Sequence, residues 1–171
     1  MIFDLNLEKC VSCGACAVAC MDQNDIDPSH GDTPLRRIHL LEEGKDKIRY
    51  TNLSVACMHC SDAPCVMGCP TGALYKDSAT NLTLFDPDRC IGCHSCAMAC
   101  PFGIPSFDQK DRITKCDGCS ERLKAGLKPA CVRICPFGAL SVYESDSQYL
   151  SQRAARSLKA ITNAILGSEE P

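Results

Sequence analysis

The chain has 171 residues, a formal net charge of −3 and 16 cysteines, and it has no tryptophan. Its 18 Lys and Arg residues are scattered, which argues against a basic surface of the kind that binds nucleic acids. There is no signal-peptide pattern at the start, and no apolar stretch reaches the roughly 20 residues that cross a bilayer. We therefore expect a cytoplasmic protein without a direct membrane span, periplasmic only if co-exported with a partner.

Four cysteine-rich segments divide the chain, and we call them groups one to four: residues 10–20, 57–69, 90–100 and 116–135. Residues 2–7 read as a strand that leads into group one, and residues 81–85 read as a strand that leads into group three. The recurrence of a strand, a cysteine loop, a helical turn and a second strand predicts an internal repeat.

The segment between groups one and two is predicted to form a β-hairpin. Residues 35–41 and 47–53 read as its two strands, with Gly44 between them. The hairpin either packs against the cysteine-containing body or meets a partner protein, and packing is the favoured interpretation.

A Pro-x-Gly turn feeding a short strand follows the last cysteine of groups two, three and four, beginning at Pro70, Pro101 and Pro136. Group one has Met21 in the position of the proline, so a different return turn is expected there. Aromatic residues follow the three turns, and they are expected to pack in the core and keep water out: Tyr75, Phe102 and Phe137.

The last segment, residues 145–166, is predicted to be a helix. Ser145 and Gln148 form a plausible capping box, and Gly167 is expected to end the helix. One face is apolar, formed by Leu150, Ala154, Leu158, Ile161 and Ile165. This face either packs on the protein itself or docks on a neighbouring subunit, and both alternatives stay open.

Each group contains four cysteines: Cys10, Cys13, Cys16 and Cys20; Cys57, Cys60, Cys65 and Cys69; Cys90, Cys93, Cys96 and Cys100; Cys116, Cys119, Cys131 and Cys135. Groups one and three have the C-x2-C-x2-C-x3-C spacing of bacterial ferredoxins, in which the fourth cysteine ligates the other cluster of a pair. Groups two and four have a wider gap before the third cysteine, of four and eleven residues. The pattern predicts four [4Fe–4S] clusters as cofactors, with all sixteen cysteines as ligands.

Other uses of the cysteines fit the pattern less well. Zinc ribbons use pairs of ligands, disulfides belong to exported proteins, and a thioredoxin-type dithiol needs a single C-x-x-C. His59 and His94 lie inside the groups, but cysteines already fill all sixteen ligand positions. We therefore predict that neither histidine is a ligand. No catalytic constellation is recognisable, so the chain is not expected to be an enzyme by itself.

Sequence proximity favours a nested arrangement of the groups. Groups two and three form an inner domain, residues 54–110, with Cys100 completing the set of Cys57, Cys60 and Cys65, and Cys69 completing that of Cys90, Cys93 and Cys96. Groups one and four form an outer domain, residues 1–53 and 111–143, with Cys135 completing the set of Cys10, Cys13 and Cys16, and Cys20 completing that of Cys116, Cys119 and Cys131. Residues 144–171 are the tail. The spacing leaves open a tandem pairing of group one with two and group three with four.

Four further residues are predicted to contact the clusters. Gly14, Gly92 and Gly118 have no side chain, so their backbone N–H groups can approach cluster sulfurs. Lys115 precedes Cys116, and its charge either raises the potential of that cluster or lies solvated on the surface.

Residues 57–65, 90–93, 114–119 and 129–136 resemble the four-cluster iron–sulfur subunits of the dimethyl sulfoxide reductase family of molybdenum and tungsten enzymes. The group also includes the electron-transfer subunits of formate dehydrogenases and thiosulfate reductases, and hydrogenase-linked polyferredoxins. The likeness extends over about residues 1–143.

The resemblance implies an α+β fold of two pseudo-symmetric ferredoxin-like domains, one inserted in the other, and the nested pairing. It implies that the chain is an electron-transfer subunit, whose four clusters pass electrons in sequence, and that it binds a large catalytic subunit with a Mo- or W-pterin site. A second redox subunit and self-association through the tail helix are further expected partners. The alternative is a polyferredoxin that serves a tungsten aldehyde oxidoreductase, a benzoyl-CoA reductase or a hydrogenase, or that forms a conducting filament.

Overall fold

The computed structural model describes residues 1–45 and 47–166, with side chains described as far as residue 158. It is an α+β fold of short elements, as predicted. The helices are α1 Ala15–Gln23, α2 Pro64–Met67, α3 Ser95–Ala99, α4 Ser120–Lys124, α5 Ala130–Ile134 and α6 Asp146–Leu166. The strands are β1 Ile2–Leu5, β2 Arg37–Glu43, β3 Arg49–Val55, β4 Leu74–Lys76, β5 Thr83–Phe85, β6 Ser106–Phe107, β7 Ile113–Thr114 and β8 Leu140–Tyr143.

The strands pair as antiparallel two-stranded ribbons, and one of these ribbons joins distant parts of the chain. β1 pairs with β8, with Phe3 opposite Val142, and α1 packs against α5. These contacts bring the segment of group one together with that of group four. The other ribbons, β2–β3, β4–β5 and β6–β7, are local hairpins.

Cysteine-proline steps determine where the short helices end. α3 and α5 each stop one residue before a Cys-Pro pair, because the residue before proline avoids helical geometry. In group one Met21 replaces the proline, and α1 continues to Gln23. The prediction of a different return there is confirmed. In the three Pro-x-Gly turns the glycines have φ of 62°, 57° and 58° (Gly72, Gly103 and Gly138), a left-handed geometry that glycine adopts readily.

The predicted hairpin exists, but its strands lie about two residues further along the chain than predicted. Gly44 lies at the turn with φ of 108°. At the base of the hairpin, Ile38 packs against a cluster of buried residues that includes Cys16, while most residues near the tip are exposed. The base therefore packs against group one, in agreement with the favoured interpretation.

The core consists of two small clusters of buried side chains, and each cluster includes cysteines. The first contains Cys16, Cys131 and Leu140, and the second contains Leu74, Cys96 and Ile113. Because Ile113 and β7 pack with elements of group three, the β6–β7 hairpin extends across the predicted domain boundary at residue 110. β3 likewise crosses the boundary at residue 53.

The aromatic residues after the Pro-x-Gly turns do not pack in the core, so that prediction is wrong. Tyr75, Phe102 and Phe137 are 41%, 57% and 49% exposed. Tyr75 follows the buried Leu74 in β4 and therefore lies on the opposite, outer side of the strand. Phe102 and Phe137 are the middle residues of their turns. Phe102 and Phe137 instead line two of the cysteine cavities described below.

The tail helix begins as predicted. The Ser145 hydroxyl accepts the Gln148 N–H at 3.4 Å, while Gln148 Oε1 accepts the N–H of Glu144, one residue earlier than in a standard capping box. Arg156 donates to Asp4 Oδ2 at 2.7 Å and ties the helix to β1. Gly167, the expected end of the helix, lies outside the described residues.

The described part of the apolar face of α6 is open. Leu150 and Leu158 are 57% and 65% exposed, and Ala154 is also exposed. The side chains of Ile161 and Ile165 lie outside the described part of the chain. None of the helices in residues 1–45 and 47–166 is both long and apolar enough to cross a membrane.

Leu74 and Leu150 lie in different environments, so replacing each by alanine is expected to change the stability of the protein by different amounts. Leu74 is 1% exposed and lies in the core beside Cys96, so Leu74→Ala is expected to cost about 2–5 kcal/mol and lower the thermal midpoint by about 5–15 °C. Leu150→Ala on the open face is the control, with an expected effect within about 0.5 kcal/mol. The measurement is the loss of cluster absorbance during anaerobic heating, and equal shifts in the two variants would contradict the assigned core.

Candidate metal centres

The four cysteine loops share one backbone feature. The residue before the second cysteine has a positive φ in every group: Ser12 (53°), His59 (48°), Gly92 (66°) and Gly118 (77°). This geometry is costly for residues with a side chain. Its recurrence at the same position of each loop supports the predicted internal repeat.

Three cavities are each lined by four cysteines from two groups. The first contains Cys10, Cys13, Cys16 and Cys135. The second contains Cys69, Cys90, Cys93 and Cys96. The third contains Cys57, Cys60, Cys65 and Cys100. In each cavity, three cysteines come from one loop and the fourth is the last cysteine of another group.

The four remaining cysteines are Cys20, Cys116, Cys119 and Cys131. Burial raises the pKa of the Cys20 thiol to about 12, with further contributions from the nearby Cys131 and Cys119 thiols. Burial also raises the pKa of Cys116 to about 12. Cys20, Cys119 and Cys131 therefore lie close together, whereas the cysteine that adds to the rise in the pKa of Cys116 is Cys57 of group two.

These thiols suit a metal-bound cluster. A buried thiolate is unfavourable unless a positive charge lies beside it, and a coordinated metal supplies that charge. Within the described side chains, no three His, Cys, Asp or Glu residues are close enough to hold one metal ion. The cysteines instead surround cavities, the arrangement that a cluster of several atoms needs.

Hydrogen-bond donors point at several of the sulfur atoms. The backbone N–H groups of Ile113, Gly118 and Ala139 each lie 3.3 Å from a cysteine sulfur, those of Cys90, Cys116 and Cys135 respectively. Of the three glycines predicted to approach sulfur, Gly118 therefore makes such a contact with a ligand candidate. Gly14 and Gly92 have the positive φ that the loops require, and their approach to sulfur stays a prediction.

Lys115 is buried, with 2% of its surface exposed, so the interpretation as a solvated surface lysine is wrong. Its ammonium donates to the carbonyls of Thr83 and, at 2.6 Å, Cys116, and it lies 5.6 Å from the centre of the Phe85 ring. Lys115 also lines the cavity of Cys57, Cys60, Cys65 and Cys100. It therefore lies between that set and Cys116.

Arg36 is a second buried cation, and sequence reasoning missed it. Its Nη1 donates to Ser54 Oγ at 3.0 Å, and that hydroxyl is hydrogen-bonded to Cys16 Sγ at 3.2 Å. Burial dominates the pKa of Cys20, and the nearby Arg36 charge opposes that rise. Within the described residues Arg36 Nε is buried without a hydrogen-bond partner. Against the effect of burial, the Arg36 charge acts to lower the pKa of both Cys20 and Cys116. A buried cation with a spare N–H near cysteines fits a negatively charged iron–sulfur cluster. No pattern in the neighbouring sequence indicates that an arginine just before a hairpin is buried.

His59 also lies beside a cysteine of another group. It is 3% exposed, its Nδ1 accepts the Thr83 N–H at 3.1 Å, and its Nε2 lies 3.7 Å from Cys116 Sγ. Burial, followed by the charges of Lys115 and Lys76, lowers the pKa of His59 to about 2, so the ring is neutral. His59 stands outside the sets of four cysteines, although its position in the C-x-x-C loop could have suggested a supporting role.

Comparison with known proteins agrees with this arrangement. Residues 48–145 match the 4Fe-4S dicluster domain family, and residues 7–21 match a 4Fe-4S binding domain. The B subunit of the anaerobic dimethyl sulfoxide reductase of Haemophilus influenzae is 39% identical over 155 residues, which cover 84% of this chain and 74% of that protein. The chain belongs to this family of iron–sulfur subunits.

Two further relatives are subunits of different enzymes. The thiosulfate reductase electron transfer subunit PhsB of Salmonella typhi is 36% identical, and the alignment covers 85% of this chain and 76% of PhsB. The formate dehydrogenase-O iron–sulfur subunit of Escherichia coli is 34% identical, and the alignment covers 88% of this chain and 56% of that subunit. The predicted resemblance, the [4Fe–4S] cofactors and the role of an electron-transfer subunit that is not itself the enzyme are confirmed.

The packing of Gly118 leads to a prediction. A Cβ at Gly118 would lie 2.9 Å from the Leu82 side chain, whereas a Cβ at Gly14 would meet nothing within 4 Å, and both residues have positive φ. We expect Gly118→Ala to cost about 1–3 kcal/mol more than Gly14→Ala, because it adds overpacking to the same backbone strain. The measurements are thermal midpoint and iron content. Equal losses in the two variants would mean that Leu82 moves aside freely.

Proposed function

We propose that this iron–sulfur subunit holds four [4Fe–4S] clusters and transfers electrons to or from a large catalytic oxidoreductase subunit. The observation that carries the proposal is the set of three cavities, each lined by four cysteines drawn from two groups. When bound, the clusters supply one-electron carriers in a chain. The names of the reductase relatives support the presence of a catalytic partner.

We assign the ligand sets as nested pairs of groups. The three cavities support the sets completed by Cys135, Cys69 and Cys100. The electrostatic proximity of Cys20 to Cys119 and Cys131 supports the fourth set, to which Cys116 belongs by its loop. The β1–β8 ribbon supports two pseudo-symmetric domains, with residues 54–110 inserted between residues 1–53 and 111–143.

The protein's own groups hold and tune the sites. Burial of the cysteines excludes water, and N–H groups such as that of Gly118 donate to ligand sulfur. The Lys115 charge favours the more negative, reduced form of a nearby cluster and so raises its potential. Gly14 and Gly92 let the backbone pass close to the sulfurs of their loops.

The partner is proposed to carry a Mo- or W-pterin site, because the resemblance covers the iron–sulfur subunits of such enzymes. The subunit is proposed to work in the cytoplasm, where its thiols stay reduced. A second candidate is a polyferredoxin that serves another oxidoreductase or a second redox subunit, or that self-associates. The exposed Leu150 and Leu158 of the tail helix favour association through this face, with a second copy of the chain or with a neighbouring subunit, because they leave an apolar face open.

Single cysteine variants discriminate the nested from the tandem pairing. In the nested pairing, Cys135→Ser perturbs the same cluster as Cys13→Ser, and in the tandem pairing it perturbs the same cluster as Cys93→Ser. We expect the Cys135→Ser and Cys13→Ser proteins to lose or shift the same signal in redox-poised electron paramagnetic resonance (EPR) spectra. A shared signal between Cys135→Ser and Cys93→Ser would overturn the nested assignment.

Metal analysis of the natively purified protein tests the function. Anaerobic purification is expected to yield about sixteen irons per chain, beyond those of any partner, together with Mo or W on a large co-purifying subunit. Sixteen irons without a partner would favour the polyferredoxin. Deletion of residues 145–171 then shows whether the tail docks: assembly that survives the deletion excludes docking through α6.

A further inference from the structure

The histidine of the second cysteine loop occupies a position that normally favours glycine. His59 has φ of 48°, and the corresponding residues are Gly92 and Gly118 in groups three and four and Ser12, with φ of 53°, in group one. A left-handed residue with a side chain costs roughly 1–2 kcal/mol. Such strain, located at a functional site, points to a role for the side chain.

The backbone of β5 determines which ring nitrogen of His59 carries the proton. The Thr83 N–H donates to Nδ1 at 3.1 Å, so Nδ1 has no hydrogen. A neutral imidazole has one N–H, and it must therefore be on Nε2. The ammonium of Lys76, which donates to the carbonyls of His59 and Cys60, disfavours a second proton on the ring.

The Nε2–H group needs an acceptor, because His59 is 3% exposed and buried donors are rarely left unpaired. The Cys116 sulfur lies 3.7 Å from Nε2, a distance suited to a sulfur acceptor because sulfur is larger than oxygen. Gly118 lies beside this pair, since a Cβ there would be in van der Waals contact with His59 Cε1 at 3.5 Å.

We propose that His59 is a redox-tuning residue that donates its Nε2–H to Cys116 Sγ and thereby links the second cysteine loop to the cluster held by the fourth. The proposal rests on the proposed function, in which Cys116 is a ligand. A hydrogen bond to ligand sulfur stabilises the extra negative charge of the reduced cluster. His59 therefore raises the potential of that cluster relative to the same site without the bond.

Two substitutions separate the two ring nitrogens. His59→Asn places a carbonyl oxygen near the position of Nδ1, which keeps the acceptor for Thr83 and removes the donor to sulfur. Asparagine also tolerates positive φ. His59→Gln places an amide N–H near the position of Nε2 and restores the donor. His94→Asn is the matched control, because His94 is also a loop histidine with positive φ, at 60°, and stacks on Phe107.

The experiment is a potentiometric EPR titration of the whole protein, with Cys116→Ser used to identify the cluster of Cys116. In His59→Asn, that cluster alone is expected to shift to a more negative potential at unchanged iron content. His59→Gln is expected to reverse most of that shift because it restores the donor, and His94→Asn is expected to leave the potential of that cluster unchanged. If all four potentials stay unchanged in His59→Asn, the proposal is overturned, while the loss of one cluster in Cys116→Ser still supports the ligand assignment.

A second measurement on the unsubstituted protein keeps the test decisive if the variants lose iron. With ¹⁵N-labelled histidine, pulsed EPR is expected to detect a nitrogen coupling on the reduced cluster of Cys116. Substitution of Phe3, whose ring centre lies 5.1 Å from that of His59, by leucine changes the packing without removing the hydrogen bond and is expected to keep the coupling. Absence of the coupling in the unsubstituted protein overturns the proposal, whatever the variants do.

Discussion

Burial of sulfur is the constraint on which the rest of this fold depends. Six cysteines are buried, whereas aromatic residues make up 5% of the chain. The described ribbons have two strands each, and such ribbons are marginal by themselves. The two clusters of buried side chains in the core therefore contain cysteine thiols at positions where most domains have aliphatic or aromatic side chains. Bound clusters would cross-link loops that the apolar core is too small to hold, in the way that structural metals hold small domains.

The loop geometry explains why the cysteine sets interlock. Each loop turns through a left-handed residue before its second cysteine, and a short helix follows. The last cysteine lies within α1 in group one and just beyond the end of a helix in the other three groups. That last cysteine lines the cavity of a different loop in three of the sets. A set can therefore form only when two loops meet, and the β1–β8 ribbon and the α1–α5 packing bring the most distant pair together.

Local rules predicted much of this structure, and tertiary contacts decided the rest. Spacing and turn chemistry were sufficient for the cysteine loops, the Pro-x-Gly turns, the different return at Met21 and the tail helix. The prediction that the aromatic residues pack in the core was wrong, since the exposure of Phe102 depends on the position of its turn in the folded protein. Lys115 was recognised by its neighbour Cys116, but its burial comes from β5, which is far away in sequence. His59 was considered only as a ligand, because its contact with Cys116 spans 57 residues.

The buried cations show how charge is balanced inside the protein. Arg36 and Lys115 are buried, yet the ion pairs in the described part of the chain do not include them. Their hydrogen bonds go to carbonyl and hydroxyl oxygens beside cysteines. A buried charge without a counter-charge is strongly unfavourable. Against the rise caused by burial, the charges of Arg36 and Lys115 both act to lower the pKa of Cys116, so cluster-bound thiolates would supply the negative charge that these cations need. A neutral His59 beside Cys116 would add a directed N–H without adding a third charge.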